Sequence, residues 1–128
     1  MIVDSSALVA VIFREPGHEE IIAKLTGAPS AGIGTPTIAE TGLMLGHRLR
    51  KDPRDLLVRL LGEFGIDEVP FGDAHWKEAV SAYLRFGKGR HQAQLNFGDC
   101  LTYAVALLAD EPLLFTGHDF THTDLKLA

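Results

Sequence analysis

The sequence predicts a three-layer α/β/α domain with a central, mostly parallel sheet of about five strands between two layers of helices. Short apolar segments alternate with longer amphipathic segments, as in folds where each strand is followed by a helix that returns to the sheet. At 128 residues the chain suits one core, so residues 1–128 are expected to form a single domain. Hydrophobic residues make up 46 % and charged residues 23 %, which is typical of a globular protein.

The expected strands are short and apolar, and helix boundaries are marked by capping residues, proline and glycine. Thr35-Pro36 and Asp52-Pro53 each predict a helix start with proline at the first helical position. The predicted strands are Ile2–Val3, 31–34, 66–71, 113–115 and an edge strand at 124–127. The predicted helical segments are 7–13, 18–25, 35–49, 53–64, 73–86 and 97–109.

Two helices carry apolar side chains at the spacing of one helical face, which predicts that these faces point into the core. The last long helix, 97–109, is apolar nearly all round and is predicted to be buried. The first core-facing stripe is Leu56, Leu57, Leu60, Leu61 and Phe64. The second is Trp76, Ala79, Val80, Tyr83 and Leu84.

The composition limits where the protein acts. The formal net charge is -5, so either the partner is not a nucleic acid, or the acids are concentrated where a cation sits and the basic residues lie elsewhere. No apolar run approaches the roughly 20 residues that span a membrane, and the start of the chain does not resemble a signal peptide. A single cysteine, Cys100, excludes an internal disulfide. We therefore expect a cytoplasmic protein with no membrane contact.

Two acidic residues follow predicted strands. Asp4 comes directly after the first strand, and Asp119 lies shortly after the strand at 113–115. Because ligands of parallel α/β sheets collect at the carboxyl ends of the strands, we expect these two side chains to lie at one edge. Each also has a simpler explanation, since Asp4 is a good helix cap and Asp119 lies in a turn-like segment.

Two further acids lie in largely apolar helices. Asp99 is the only charged residue from Asn96 to Ala109, and it stands in the first turn of a helix that leads into the fourth strand. An aspartate there is also explained by the helix dipole, which contributes about 0.3–1 kcal/mol. Glu40 likewise fits a solvent-facing position on an amphipathic helix. The hypothesis of a site therefore depends on the convergence of all four acids.

Gathering carboxylates requires a counter-charge. Two unit charges 4 Å apart repel by about 4 kcal/mol at an effective dielectric constant near 20. A hard divalent cation removes this repulsion, and Mg²⁺ in particular binds carboxylates together with water and substrate phosphate. Such an ion lowers the pKa of a bound water and neutralises charge on a reacting phosphate. The acids therefore suggest metal-dependent phosphodiester chemistry.

Other motifs are weak. Gly32-Ile33-Gly34 has Thr37 where a dinucleotide-binding loop has its third glycine, and Gly87-Lys88-Gly89 lacks the spacing of a phosphate-binding loop. A phosphoacceptor domain of the receiver type needs a lysine after a late strand, and the residues directly after 113–115 do not supply one.

The segment before Asn96 is basic and rich in glycine, with Arg85, Lys88, Arg90 and His91 close together. A solvated loop explains such a run. A loop that holds phosphates beside the acid cluster explains it as well, and we favour the second interpretation, with Lys88 and Arg90 holding the phosphates. Such contacts fix register but carry no sequence information.

Four segments carry a resemblance to a known family. They are MIVDSSALVA at the amino terminus, PTIAET around Glu40, NFGDC around Asp99 and LLFTGHDF around Asp119. In these segments, and over essentially its whole length, the chain resembles a PIN domain and, more narrowly, the VapC-type toxins of bacterial toxin–antitoxin pairs. The stretch YLRFGKGRH resembles one VapC subgroup.

The resemblance implies an endoribonuclease that depends on Mg²⁺ or Mn²⁺, forms a homodimer and is blocked by a VapB-type antitoxin. It assigns Asp4, Glu40, Asp99 and Asp119 as the catalytic quartet and Ser6 as the hydroxyl residue beside the first aspartate. His118 stands where relatives often have Asp or Asn. The predicted function is therefore a toxin that cleaves RNA and blocks translation. The alternative is a non-catalytic PIN-like module that binds RNA or protein.

Overall fold

The structure is a computed structural model that describes residues 1–128. It has four strands and six helices, and none of the helices is long and apolar enough to cross a membrane. In chain order the elements are β1 (Ile2–Val3), α1 (Ser5–Ile12), α2 (His18–Gly27), β2 (Ala31–Gly34), α3 (Thr35–Leu49), α4 (Arg54–Glu63), β3 (Ile66–Val69), α5 (Asp73–Phe86), α6 (Phe97–Ala109) and β4 (Leu113–Leu114).

The strands form one parallel sheet in the order β3-β2-β1-β4. The chain therefore builds outward from β1 through β2 to β3 and then returns to add β4 on the other side of β1. Every connection between consecutive strands contains two helices, which supply the crossover that parallel pairing requires. The reversal of direction places a crevice between the carboxyl ends of β1 and β4, which is where open α/β sheets bind ligands.

Alternate residues of the short strands face opposite helical layers. Ile2 and Leu113 pack in one core with α5 and α6, while Val3 and Leu114 pack in a second core with helices α1 to α4. The three-layer α/β/α prediction is thereby confirmed.

Several boundaries agree with the predicted signals, and others differ by one position. Asp4 caps α1 as predicted, because its carboxylate accepts the Ser6 backbone N–H. Thr35 lies inside α3 instead of capping it, since the cap residue is Gly34. β3 ends at Val69, short of the predicted limit, because the next residue is Pro70, which has no N–H to donate to a ladder.

The sheet has four strands where about five were predicted. The predicted edge strand at 124–127 contributes only one parallel bridge, between Leu127 and Leu113. Two backbone hydrogen bonds hold it there, from Leu113 to Lys126 and from Ala128 to Leu113.

The predicted bounds of α5 are confirmed, but its predicted inward face was wrong. Of its five supposed inward residues only Ala79 is buried, whereas Ala82 and Phe86 form the buried face instead. Small side chains at 79 and 82 let α5 pack closely against α6. The larger apolar residues of the stripe remain on the surface and are 43–56 % exposed: Trp76, Val80, Tyr83 and Leu84. On α4, by contrast, Leu57, Leu60 and Leu61 are buried as predicted.

Candidate active site

The carboxylate of Asp4 is fixed at the carboxyl end of β1 by three hydrogen bonds. The residue is only 5 % exposed. Its Oδ2 accepts from the Ser6 N–H at 3.1 Å and from the Ser6 hydroxyl at 2.6 Å, and its Oδ1 accepts from the Thr102 hydroxyl at 2.9 Å. A carboxylate oxygen has about two lone pairs. Oδ2 is therefore saturated, while Oδ1 keeps one lone pair free for a further ligand.

Glu40 lies on α3 and reaches the same region. The Ser5 hydroxyl donates to its Oε1 at 2.9 Å. Its carboxylate packs directly on the backbone of Gly98, at the start of α6, where an added Cβ would collide with it. Glycine at this position therefore allows the carboxylate of α3 to sit beside the first turn of α6. The structure does not support the interpretation of Glu40 as a surface residue that faces only solvent.

Asp99 and Asn96 form a reciprocal cap at the start of α6. The Asn96 N–H donates to Asp99 Oδ2 at 3.1 Å, and the Asp99 N–H donates to Asn96 Oδ1 at 2.8 Å. The pKa of Asp99 is raised to about 6: burial is the largest cause, the Asn96 N–H opposes it, and the charges of Asp119, Asp4 and Glu40 add to the increase. Three other carboxylates thus act on Asp99, which places all four acids in one electrostatic neighbourhood.

Asp119 is the most accessible of the four acids. It follows β4 in an irregular segment that begins with a turn at Gly117, whose φ of +86° favours glycine. The neighbouring Phe120 is buried in the core that contains α5 and α6 residues, and it anchors this segment there. His118 is exposed, and its carbonyl accepts from the Thr121 N–H and hydroxyl.

The four acids lack cationic partners within the chain. None of them takes part in any of the eight ion pairs of the structure. As placed, no three His, Cys, Asp or Glu side chains are close enough together to hold one ion. An acidic cluster with no internal counter-charge fits a divalent cation by charge and by ligand type. A bound ion requires some of these side chains to move closer.

The predicted substrate-binding residues lie in two places. Ser6 touches Asp4 and also accepts the Thr116 N–H at 3.0 Å, so it connects the carboxyl ends of β1 and β4. Lys88 and Arg90 are exposed in the loop between α5 and α6 and form no ion pair, and Arg90 lies over the ring of Tyr83 at 5.2 Å. Neither cation contacts the carboxylates.

Three site residues were missed by the sequence analysis. Thr102 donates to Asp4, Thr37 is within 3.1 Å of the Thr102 hydroxyl, and Ser5 donates to Glu40. Two of them carried a signal. Thr102 is three residues after Asp99 and Thr37 is three residues before Glu40, so each lies on the same helical face as an acid in an otherwise apolar region.

An apolar groove of about 650 Å³ lies beside the site, between α5 and α6. Trp76, Val80 and Tyr83 line one side and Phe97 the other, with Lys88 at the rim. Asn96, which caps α6 together with Asp99, also borders it. The groove therefore begins at the edge of the acidic cluster.

Comparison with known proteins identifies the family. The PIN domain family model matches residues 1–126. Ribonuclease VapC36 of Mycobacterium tuberculosis is 45 % identical over 127 residues, which cover 98 % of this chain and 91 % of that protein. Ribonuclease VapC42 of the same organism is 38 % identical over 129 residues, which cover 100 % of this chain and 98 % of that protein. The chain belongs to the VapC ribonucleases of the PIN-domain family. The family predicted from sequence is confirmed.

Two solved structures share the fold. VapC20 of Mycobacterium tuberculosis, described as a sarcin-ricin loop cleaving toxin, superposes with a TM-score of 0.80 at 14 % identity, over 99 % of this chain and 97 % of that chain. A chain of a toxin–antitoxin complex from Klebsiella pneumoniae gives a TM-score of 0.72 at 16 % identity, over 99 % of this chain and 95 % of that chain. At these identities the agreement concerns the fold alone.

Proposed function

We propose that this VapC-family ribonuclease is a Mg²⁺-dependent endoribonuclease, with Mn²⁺ able to replace Mg²⁺, and that it acts as the toxin of a type II toxin–antitoxin pair. The observation that carries the proposal is the gathering of four carboxylates without cationic partners at the switch point of the sheet. Cleavage of RNA in the cytoplasm would arrest growth by blocking translation.

Asp4, Asp99 and Asp119 would hold the metal, and Glu40 would orient water or add a ligand. When bound, the ion supplies an activated water and neutralises charge on the phosphate under attack. Ser6 and Thr102 keep the Asp4 carboxylate in one orientation, and Ser5 does the same for Glu40. This fixed arrangement reduces the reorganisation that the reaction requires.

The proposed substrate is RNA in which bases are unpaired, because single-stranded loops expose the base edges that proteins read. Lys88 and Arg90 carry no carboxylate partner and are therefore available for phosphates. One structural relative is described as cleaving the sarcin-ricin loop. A ribosomal RNA loop is therefore the first substrate to test.

The test is cleavage of total RNA by the purified protein with Mg²⁺, Mn²⁺ or EDTA, with the cleaved ends identified by sequencing. We expect cleavage with either metal and none in EDTA. Asp99→Asn should abolish cleavage while circular dichroism shows an intact fold. Full activity of this variant would refute the assignment, and a wild-type protein inactive with every metal would favour the non-catalytic alternative. In cells, Asp4→Ala should relieve growth arrest.

We further propose that two copies associate through the exposed apolar side chains of α5. Trp76, Val80, Tyr83 and Leu84 are large, uncharged and uncovered in the single chain, and exposed apolar patches of this kind mark interaction surfaces. Light scattering should give the mass of a dimer, and Val80→Glu should give a monomer. Val58→Glu is the matched control, because Val58 is an exposed valine on α4. A wild-type monomer would contradict this proposal.

A VapB-type antitoxin is the proposed protein partner. The Klebsiella pneumoniae relative was solved as a toxin–antitoxin complex. A short reading frame next to the gene, encoding a small DNA-binding protein with a basic and apolar tail, would identify the antitoxin. Co-expression should give a stable complex that does not cleave RNA. RNA cleavage that persists in the presence of that protein would refute the pairing.

A further inference from the structure

The segment that carries Asp119 has little regular structure to hold it in place. Between the end of β4 at Leu114 and the single bridge at Leu127, the chain makes only turns and bends. Thr121 and Thr123 close these turns locally, through bonds to the carbonyls of residues 118 and 120. The position of Asp119 relative to the rest of the site must therefore come from contacts with other elements.

Asp124 supplies such a contact. Its Oδ1 accepts from the Tyr103 hydroxyl at 2.6 Å, and its Oδ2 accepts from Arg85 Nη2 at 3.0 Å. Tyr103 is fully buried on α6, and Arg85 lies in the last turn of α5. One carboxylate thus connects the terminal segment to both helices of this layer.

The protonation states agree with this geometry. Partial burial raises the pKa of Asp124, but the hydrogen bonds from Tyr103 and Arg85 outweigh it, so the pKa lies below its usual range. Burial and the bond to Asp124 raise the pKa of the Tyr103 phenol. Asp124 is therefore an anion and Tyr103 a neutral donor at neutral pH, which makes theirs a short, charge-assisted hydrogen bond.

The cluster of Asp124, Tyr103 and Arg85 links two parts of the acidic site. Tyr103 is one helical turn after Asp99 on α6, and Asp124 is five residues after Asp119. Their hydrogen bond ties the helix that presents Asp99 to the segment that presents Asp119. The four acids themselves make no hydrogen bond to one another that would set this spacing.

We propose that Asp124 is a positioning residue, held by Tyr103 and Arg85, that fixes Asp119 relative to Asp99 and so sets the affinity of the site for a divalent cation. This role rests on the proposed function, because it assumes that the acids bind metal. Asp124 itself is engaged through both oxygens and is not offered as a ligand.

The test compares Tyr103→Phe and Asp124→Asn with the wild-type protein. The matched control is Asp110→Asn, which removes another aspartate bonded to the same terminal segment, through Lys126 at 2.7 Å, but on the exposed side. Free Mn²⁺ is measured by electron paramagnetic resonance during a titration, so binding is read without catalysis. We expect Mn²⁺ to bind about tenfold more weakly to both test variants and with unchanged affinity to the control. A tenfold loss is the low end of what mutating groups that orient metal ligands costs in metal affinity.

A second measurement separates positioning from general destabilisation. In Asp119→Asn, adding Asp124→Asn should weaken Mn²⁺ binding no further, because the two residues act through the same ligand. Amide hydrogen exchange of residues 117–120 should be faster in Asp124→Asn than in wild type or Asp110→Asn. Unchanged Mn²⁺ binding in Tyr103→Phe and Asp124→Asn would overturn the proposal, and so would full additivity with Asp119→Asn.

The proposed function can fail separately. A wild-type protein that neither binds Mn²⁺ nor cleaves RNA would contradict the metal-dependent nuclease and the part of this inference that concerns metal affinity. Hydrogen exchange would still decide the positioning role. Faster exchange of residues 117–120 in Asp124→Asn supports it, and unchanged exchange overturns it.

Discussion

Asp99→Asn should make the metal-free protein more stable while it abolishes cleavage. In the folded chain the pKa of Asp99 rises from 3.8 to about 6, with burial as the largest cause. Each pKa unit by which the folded state exceeds the unfolded state lowers the free energy of unfolding of the ionised protein by about 1.36 kcal/mol. Folding at high pH therefore carries a penalty of about 3 kcal/mol from this one carboxylate.

The sign of the pH dependence follows from linkage. Below the unfolded pKa of 3.8 the carboxyl group is neutral in both states and adds no penalty. Between pH 3.8 and about 6 the unfolded chain ionises while the folded carboxyl group keeps its proton, so the free energy of unfolding falls as the pH rises through this range and levels off above it. Asparagine is neutral and keeps an oxygen for the Asn96 N–H, but it loses the favourable helix-dipole term of about 0.3–1 kcal/mol. The net gain at pH 8 should be about 2 kcal/mol.

Urea unfolding in EDTA at pH 4 and pH 8 measures this gain. Wild type and Asp99→Asn should agree at pH 4 and separate at pH 8. Excess Mn²⁺ should stabilise only the wild type, by about 2.7 kcal/mol at 100 times its dissociation constant. Asp110→Asn, at the other end of α6, should instead have a lower free energy of unfolding than wild type at pH 8, because Lys126 lowers the pKa of Asp110. An Asp99→Asn protein no more stable than wild type at pH 8 would refute the reasoning.

Three further substitutions test how the acids are held. In Gly98→Ala the new methyl group would fall on the Glu40 carboxylate, so displacement of Glu40 should slow RNA cleavage about 100-fold. Thr102→Val removes the donor to Asp4 Oδ1, and denaturant unfolding should show a loss of about 1–3 kcal/mol. Ser6→Ala removes the 2.6 Å bond to Asp4, and Mg²⁺ titration of cleavage should show about tenfold weaker metal binding.

Matched controls exist for these variants. Gly42→Ala on α3 adds a methyl group 3.7 Å from Leu57 Cδ2, an ordinary contact, and should keep activity. Thr26→Val removes an exposed hydroxyl bonded to the Ile22 carbonyl and should change stability by less than about 0.5 kcal/mol. Normal cleavage by Gly98→Ala, or unfolding of Thr102→Val at the wild-type urea midpoint, would contradict the geometry described for the site.

The edge of the sheet on which the site lies could be predicted from the sequence, because it depends only on parallel pairing. Asp4 follows a strand and Asp119 follows another, and any parallel sheet brings these ends to one edge. The position of Glu40 could not be predicted in the same way. Its helix begins directly after β2, but helical periodicity does not indicate which face of that helix meets α6. The close approach at Gly98 decides this, and it is a property of tertiary packing.

The terminal segment shows a limit of local reasoning. Its fifth strand was predicted from apolar residues, yet only Leu127 pairs with the sheet. Asp124 looked like part of that strand, whereas its carboxylate is bonded to Tyr103 and Arg85, which lie 21 and 39 residues away in the sequence. No short-range pattern contains such a contact. Side-chain hydrogen bonds of Asp124 are therefore found where a strand was predicted.

The stripe on α5 shows a second limit. Helical periodicity identifies an apolar face, but it does not say whether that face is covered by the same chain or by another. The close approach of α5 and α6 selects Ala79 and Ala82 for the interior, and the larger Trp76 and Tyr83 are left outside. The sequence therefore predicted correctly that this helix is amphipathic and wrongly where its large residues lie.

The net charge, which first argued against a nucleic-acid partner, now has a structural explanation. Of the 17 acidic residues four form the cluster, and the other 13 nearly balance the 12 lysines and arginines. A divalent ion at the cluster would offset part of the remaining excess. Arg85 is paired with Asp124, whereas Lys88 and Arg90 take part in no ion pair. The surface proposed to bind RNA is therefore local and basic on a chain that is acidic as a whole, and RNA binding there should weaken as salt rises.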